Sequence, residues 1–132
     1  MLVANGLRVI RCLEGRSERT RGLAEKAGIA AVNPYAEMVC EAQMVISIMV
    51  PAEVKQAVTR VAEALKKTGE QIVYVDCNAI VPETAKRVAL VVEATGSRTE
   101  DAGIIGGPPG SADSSTRILY FWYACGGVYA AK

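Results

Sequence analysis

The chain of 132 residues contains no histidine and no closely spaced pair of cysteines. Without histidine it cannot carry a Ser-His-Asp triad, a Cys-His pair or a histidine-ligated zinc ion. Its cysteines are far apart in the sequence, at Cys12, Cys40, Cys77 and Cys125. Such spacing is typical of buried free thiols in an intracellular protein. Much ordinary hydrolase chemistry is therefore excluded, and we predict no bound metal.

The chain also lacks an excess of charge and a long apolar run. Fifteen basic residues against 14 acidic ones give a net charge of +1, which provides no electrostatic footprint for nucleic acid or for an anionic membrane. The apolar run at residues 44–50 is interrupted by Ser47, and no apolar run in the chain approaches the ~20 residues that span a bilayer. Residues 1–6 carry no basic leader, so we expect a cytoplasmic protein.

What the chain does contain is a regular alternation of strand-like and helix-like segments. Four short apolar segments are predicted strands: residues 7–12, 30–32, 44–50 and 72–76. The third is almost continuously apolar, which is typical of a strand buried on both faces of a parallel sheet. Helical segments follow each strand. This order predicts an α/β fold with a doubly wound parallel sheet, Rossmann-like, with helices on both faces.

Capping residues mark where the helices begin and end. Ser17 is predicted to cap a helix that ends near Gly28. Asn33 is the predicted N-cap of the next helix, with Pro34 at its first position. Two longer helices begin at a proline and end at a glycine, over residues 51–69 and 82–96.

The two ends of the chain depart from this pattern. Residues 1–6 resemble the tail of a helix that ends at Gly6, so a first strand and its glycine-rich turn are expected to be lacking. Residues 106–115 are rich in glycine, proline and serine and are predicted to form a loop. Beyond them, residues 117–123 hold four aromatic side chains and are predicted to form an edge strand or a docking surface.

In a doubly wound sheet, ligands bind beyond the carboxyl ends of the strands. Arg16 and Ser17 follow the first predicted strand, where a guanidinium and a hydroxyl beside a glycine could bind the 2′-phosphate of NADP. Glu14 could instead bind the ribose of NAD. A solvated first helical turn explains the same residues equally well. We favour NADP because Arg16 and Ser17 occupy the turn itself.

Three other places follow strands. Met49 and Val50 could contact the nicotinamide half of a dinucleotide, although Pro51 could simply start a helix. Asn78 could bind a ribose or a carboxamide, or could stabilise a turn. The glycine pair that closes residues 101–107 allows close approach of a ligand or a very tight turn. Cys77 lies at the same edge, but no cation is near it in sequence, so we assign it to packing.

The ordered motifs resemble those of the β-hydroxyacid dehydrogenase family, which includes 6-phosphogluconate dehydrogenase and 3-hydroxyisobutyrate dehydrogenase. They are Gly-Arg-Ser at 15–17, Met-Val-Pro at 49–51, Val-Asp-Cys-Asn-Ala-Ile-Val-Pro-Glu-Thr at 75–84 and Asp-Ala-Gly-Ile-Ile-Gly-Gly at 101–107. The resemblance implies an NADP-binding domain of an oxidoreductase that transfers hydride between NADP and a small hydroxyacid. It implies three groups of site residues, namely Arg16 and Ser17 at the adenosine phosphate, Met49, Val50 and Asn78 along the cofactor cleft, and Gly106 and Gly107 facing the substrate.

The departures from the family pattern shape the remaining expectations. The family's catalytic lysine lies in a downstream helical domain, so no catalytic residue is assigned and the isolated chain is expected to be inactive. Ile105 stands where the family commonly has serine. We predict a partial NAD(P)-binding domain over residues 1–117 and a divergent tail over 118–132. Self-association through an exposed sheet edge is expected, and the alternative function is a non-catalytic protein-interaction module on a degenerate Rossmann-like scaffold.

Overall fold

The computed structural model describes residues 2–106 and the backbone of a strand at 117–121. A short 3-10 helix, Val3–Asn5, precedes the regular elements and ends at Gly6, whose left-handed φ of 81° agrees with the predicted helix end. The elements that follow are β1 Ile10–Arg11, α1 Glu18–Lys26, β2 Ala30–Ala31, α2 Tyr35–Glu41, β3 Met44–Ser47, α3 Pro51–Thr68, β4 Val73–Asp76, α4 Pro82–Glu93, β5 Arg98–Ile105 and β6 Arg117–Phe121.

The strands form two sheets. β1 and β2 pair in parallel, and a separate sheet has the order β3-β4-β5-β6. The pairs β3·β4 and β4·β5 are parallel, whereas β6 is antiparallel to β5. The predicted α/β alternation with a Rossmann-like parallel sheet is therefore confirmed. β6 lies at the edge of its sheet in the part of the chain that is described; Trp122 and Tyr123 lie outside it.

The core lies between the helices α2, α3 and α4 and one face of the larger sheet. Its most completely buried side chains are Val39, Val54, Leu65, Tyr74, Val88 and Val92. In α3 the apolar residues recur every three or four positions, so one stripe of the helix is buried while the opposite face carries charge. Each such side chain contributes about 1.5–3 kcal/mol by leaving water. The proline and the glycine predicted at the two ends of α3 are found there. Pro51 is the first residue of the helix, and Gly69 ends it in the left-handed region with φ 77°.

The prediction that β3 is buried on both faces is wrong. Val45 packs against the core, but Met44 and Ile46, which point to the opposite face, are 47% and 38% exposed. Within residues 2–106 and 117–121, no strand pairs with the second edge of β3. An apolar run in the sequence cannot distinguish a strand that is buried on both faces from one that is buried on a single face.

The cap predicted for α1 is confirmed, and the one predicted for α2 is wrong. Ser17 is the N-cap of α1, and its Oγ accepts a hydrogen bond from the Thr20 backbone N–H at 3.3 Å. In α2 the N-cap position belongs to Pro34, and the Asn33 side chain accepts from the Leu13 backbone N–H at 2.9 Å. Leu13 lies just beyond β1 and is buried, so its N–H requires an acceptor that no strand supplies.

Among the residues that the structure describes, no helix is both long and apolar enough to cross a bilayer.

Candidate functional site

A cleft of about 190 Å³ opens between the loop after β1 and one face of α3. Its lining residues are Glu14, Gly15, Arg16, Tyr35, Glu53, Gln56, Ala57 and Arg60. α3 begins four residues after β3 ends, so the cleft joins the carboxyl end of β1 to the segment that leaves β3. The structure therefore places Arg16 at the strand-end position where a doubly wound fold binds ligands.

Gly15 gives the cleft its open wall. Its φ of 69° lies in the left-handed region, which other residues adopt only with strain. No heavy atom lies within 4 Å of the point that a Cβ would occupy at this position. The turn thus presents bare backbone beside the Arg16 side chain, and a ligand can approach it closely.

The charges of the cleft come from both walls. The loop contributes Glu14 and Arg16, and α3 contributes Glu53 and Arg60. All four side chains are exposed. The salt bridges found within residues 2–106 and 117–121 join other pairs, so these four groups remain available to a ligand. Such a cleft suits a molecule that carries an anionic group together with hydroxyls.

Ser17 lies next to the cleft rather than in its lining. Its Oγ already accepts the capping hydrogen bond from Thr20, and the two hydroxyl oxygens are 3.1 Å apart. When the Thr20 hydroxyl is the donor between these two oxygens, the Ser17 O–H is free to donate a hydrogen bond to an anion. Ser17 therefore has a structural role as the N-cap of α1, and any ligand binding would be a second role.

Asn78 and Met49 are joined directly. The Asn78 Oδ1 accepts a hydrogen bond from the Met49 backbone N–H at 2.7 Å. The Asn78 Nδ2 donates to Ser47 Oγ at 2.8 Å and to Asp76 Oδ1 at 2.6 Å. Both functions of the amide are therefore engaged within the protein, and Asn78 shapes this edge of the sheet by fixing the backbone that follows β3.

The rim of the same edge is apolar. Val50 and Val81 are the N-cap residues of α3 and α4. They are 62% and 61% exposed, and Ile48 is 61% exposed. Val50 and Val81 thus stand at the start of their helices, and the helices do not bury them. Val50, which was predicted to line a cofactor cleft, is therefore open to a ligand.

A row of polar residues crosses the sheet below this rim. The register pairs Ser47 with Asp76 and Asp76 with Asp101. Asp76 is buried, and its Oδ2 has no hydrogen-bond partner among the residues that the structure describes. Burial, and secondarily the charge of Asp76, raises the pKa of the Asp101 carboxyl.

The same surroundings act on Cys77. Burial raises the pKa of its thiol, and the carboxylates of Asp76 and Asp101 raise it further. A thiol held in its protonated form is a weak nucleophile. This environment agrees with the assignment of Cys77 to packing. Cys12 and Cys40 are also free thiols.

The glycine motif lies at the end of β5. Residues 101–105 belong to the strand itself, and Gly106 follows it with φ 128°, a value that favours glycine. Ile104 and Ile105 are 39% and 56% exposed. Gly107 lies outside the described residues. The surface presented just before Gly106 is therefore apolar at the position of Ile105.

The sequence alone gave no sign of the α3 wall. Glu53, Gln56, Ala57 and Arg60 line the cleft, whereas the sequence predicted only where α3 begins and ends. Their spacing of three and four residues places them on one helix face. A polar face that contains two opposite charges and a small residue was the available signal, but it equally describes a solvated helix.

Comparison with known proteins supports the family resemblance. Residues 1–120 match the family described as the NAD binding domain of 6-phosphogluconate dehydrogenase. An uncharacterized 28.5 kDa protein of Methanothermus fervidus is 29% identical over 97 residues, covering 72% of this chain and 35% of that protein. At this level of coverage, the match concerns the same kind of domain rather than the whole relative.

Solved structures share the fold. A conserved hypothetical protein from Sinorhizobium meliloti 1021 superposes with a TM-score of 0.71 at 21% identity, covering 89% of this chain and 40% of that one. An imine reductase of Streptomyces aurantiacus gives 0.66 at 20% identity, covering 90% and 40%. An imine reductase variant from Myxococcus stipitatus, solved in complex with NAD+, gives 0.66 at 16% identity, covering 90% and 39%.

The chain thus spans less than half the length of each of these proteins. The family match covers nearly all of this chain, and the structure has the corresponding Rossmann-like architecture. This chain belongs to the family of the NAD-binding domain of 6-phosphogluconate dehydrogenase.

Proposed function

We propose that the chain binds NADP, with the adenosine end of the cofactor in the cleft between the loop after β1 and α3. The observation that carries the proposal is the Arg16 guanidinium, which stands beside the open Gly15 turn and forms no salt bridge with any of the described residues. A guanidinium binds a phosphate through two parallel hydrogen bonds. Glu14, in the same cleft, is the residue that would favour the free ribose hydroxyl of NAD instead.

The other predicted site residues take supporting roles in this proposal. Ser17 donates its hydroxyl proton to the same phosphate while it caps α1. Val50 contacts the nicotinamide half through its exposed side chain. Asn78 acts through Met49, whose backbone it holds just beyond the carboxyl end of β3.

We further propose that the complete protein is an oxidoreductase acting on a small hydroxyacid in the cytoplasm. When bound, the cofactor supplies the hydride chemistry. The residues of this chain bind and orient it, and the backbone at Gly106 and Gly107 faces the substrate. No residue of the chain is assigned as a catalytic acid or base. We expect the isolated chain to show no measurable turnover with hydroxyacids, and steady reduction of NADP+ by the pure chain would contradict this.

Titration of the purified chain with NADPH and NADH tests the cofactor proposal. We expect NADPH to bind more tightly than NADH, because the Arg16 guanidinium binds the 2′-phosphate that NADH lacks. Arg16→Gln should weaken NADPH binding by about tenfold or more while leaving NADH binding nearly unchanged. Arg87→Gln, which changes an exposed arginine on α4 outside the cleft, is the matched control. Equal binding of the two nucleotides by the unaltered chain would overturn the assignment to NADP.

A second candidate is a non-catalytic interaction module. The observation that favours it is the exposed apolar surface formed by Met44 and Ile46 of β3 and by Ile48, which follows the strand. The two candidates are distinguished by the same titration. A module of this kind would bind neither nucleotide and would still associate through β3.

A further inference from the structure

We propose that Arg60, on α3, is the second cationic ligand of the cofactor 2′-phosphate and acts with Arg16 to select NADP over NAD. This inference rests on the proposed binding of NADP in the cleft. It adds a specificity-determining residue that lies 44 positions from Arg16 in the sequence, on a different element and on the opposite wall of the cleft.

The position of Arg60 follows from the helix geometry of α3. Glu53, Gln56, Ala57 and Arg60 are separated by three, one and three positions, so they form one continuous face of the helix. All four line the cleft. Ala57 is the small member of this face, and the side chains of Gln56 and Arg60 stand on its amino-terminal and carboxyl-terminal sides, respectively. The face therefore presents a narrow slot with a guanidinium at one end.

The charges of the cleft require a second cation. Glu14 and Glu53 each carry a negative charge, and Arg16 alone offsets only one of them. A phosphate monoester adds a further charge of about −1.5 to −2 at neutral pH. With Arg16 as the only cation, a phosphate would enter a cleft that is already negative. Arg60 brings the four protein charges to balance, so two guanidiniums can face the phosphate together.

The contacts of Arg60 leave it available for this role. Its side chain is exposed and takes no part in the core, which contains the opposite stripe of α3. In the part of the chain that the structure describes, the salt bridges join Arg8 with Glu41 and Arg98 with Glu100. Arg60 thus pairs neither with Glu63, one turn ahead, nor with Glu53. Because its guanidinium has five N–H donors and forms no salt bridge with the described residues, Arg60 is available to bind an anion.

A pair of small ligands isolates the phosphate contact. Adenosine 2′,5′-bisphosphate and adenosine 5′-monophosphate differ only in the 2′-phosphate, and calorimetry gives the Kd of each without any catalytic step. We expect the unaltered chain to bind the bisphosphate more tightly. Arg60→Gln should weaken the bisphosphate by about tenfold or more, as expected for loss of a charged hydrogen bond, and should change the monophosphate by less than about twofold.

Two further variants complete the experiment. Arg60→Lys keeps the charge but loses the two-pronged geometry, so it should recover part of the bisphosphate affinity. Arg87→Gln, on α4, should leave both ligands unaffected. Because Arg60 is exposed, we expect the thermal unfolding midpoint of Arg60→Gln to match that of the control, which excludes misfolding as a cause.

The outcomes separate the two proposals. If Arg16→Gln loses the bisphosphate preference and Arg60→Gln keeps it in full, the role of Arg60 is overturned and the NADP proposal stands. If the unaltered chain does not prefer the bisphosphate, or binds neither ligand, the NADP proposal itself is overturned, and the role of Arg60 with it. Equal weakening of both ligands by Arg60→Gln would show that Arg60 contacts the nucleoside rather than the 2′-phosphate, and would also overturn the inference.

Discussion

The Asn78 side chain holds the Met49 backbone through a hydrogen bond of 2.7 Å between Asn78 Oδ1 and the Met49 N–H. The two residues follow β4 and β3, whose carboxyl ends lie side by side. Because the same amide also donates to Ser47 and Asp76, one side chain connects the ends of both strands. Few substitutions at this edge of the sheet would remove as many contacts at once.

Asn78→Ala should lower the free energy of unfolding by about 1–3 kcal/mol. The substitution leaves the Met49 N–H without its acceptor, and a partly buried polar group that loses its partner carries this cost. Asp76 Oδ1 loses the side-chain donor but keeps the hydrogen bond from the Asn78 backbone N–H. Urea unfolding monitored by circular dichroism measures the change. Gln43→Ala, at an exposed position just before β3, is the control and should remain within about 0.5 kcal/mol of the unaltered chain. Equal stability of the two variants would show that the amide is dispensable.

This network marks a limit of what the sequence could predict. The pattern of residues 72–84 correctly predicted a strand, a turn and a helix, because apolar alternation and a helix-starting proline are local signals. From its place after a strand, Asn78 was predicted either to face a ligand or to stabilise a turn. Its actual partners lie 29 and 31 positions away in the sequence, and only the packing of β3 beside β4 brings them within reach.

The Ser17 hydroxyl gives a prediction that separates capping from ligand binding. Ser17→Ala removes the acceptor for the Thr20 N–H and should destabilise the chain by about 1 kcal/mol. Ser17→Asn keeps a capping acceptor and should restore most of this stability. If the hydroxyl also donates to the 2′-phosphate, Ser17→Ala will in addition weaken NADPH binding relative to NADH. An unchanged ratio of the two affinities would leave Ser17 with capping alone.

Asp101 makes stability depend on pH. Burial, and then the charge of Asp76, raises its carboxyl pKa, while a backbone hydrogen bond at Ala102 opposes the shift. The folded chain therefore holds this proton more tightly than the unfolded chain does. Stability contributed by the protonated form is present below the ordinary carboxyl pKa of about 4 and is lost as the pH rises through the raised value.

Asp101→Asn tests this dependence, because the amide cannot ionise. At neutral pH the variant should be more stable than the unaltered chain, and the difference should disappear as the pH falls towards about 4. Urea unfolding at a series of pH values measures it. Glu63→Gln, at an exposed position on α3, should show no such trend. A variant that is less stable at neutral pH would contradict the prediction.

The free edge of β3 should cause self-association. Its unpaired backbone and the exposed Met44 and Ile46 side chains form the kind of strand edge that pairs with another chain. We expect the mass measured by light scattering to rise with concentration, and Met44→Lys to reduce the rise. Leu90→Lys, at a 68% exposed leucine on α4, is the control. A monomer at all concentrations would contradict this interpretation of the edge.

The failures of sequence-based prediction at β3 and at the α3 wall have a common cause. Residues 44–50 are apolar whichever elements surround them, so composition cannot show how many faces of the strand are covered. Arg60 is a charged residue on a helix, and nothing local distinguishes a solvated face from the wall of a cleft. In both places the outcome depends on the neighbouring elements. Pro51 and Gly69, by contrast, act within their own turns at the ends of α3 and were predicted correctly.

The division of the sheet has a consequence for how the chain opens. The loop with Arg16 belongs to the β1–β2 sheet, and Arg60 belongs to a helix packed on the other sheet. Between β1 and β3 the described backbone forms no hydrogen bonds, although Cys12 and Val32 join the common core. The two parts should therefore exchange their amide hydrogens at different rates. A nucleotide bound by both Arg16 and Arg60 would link these two parts of the chain. Its binding energy would therefore appear as slower amide hydrogen exchange in β1 and β2.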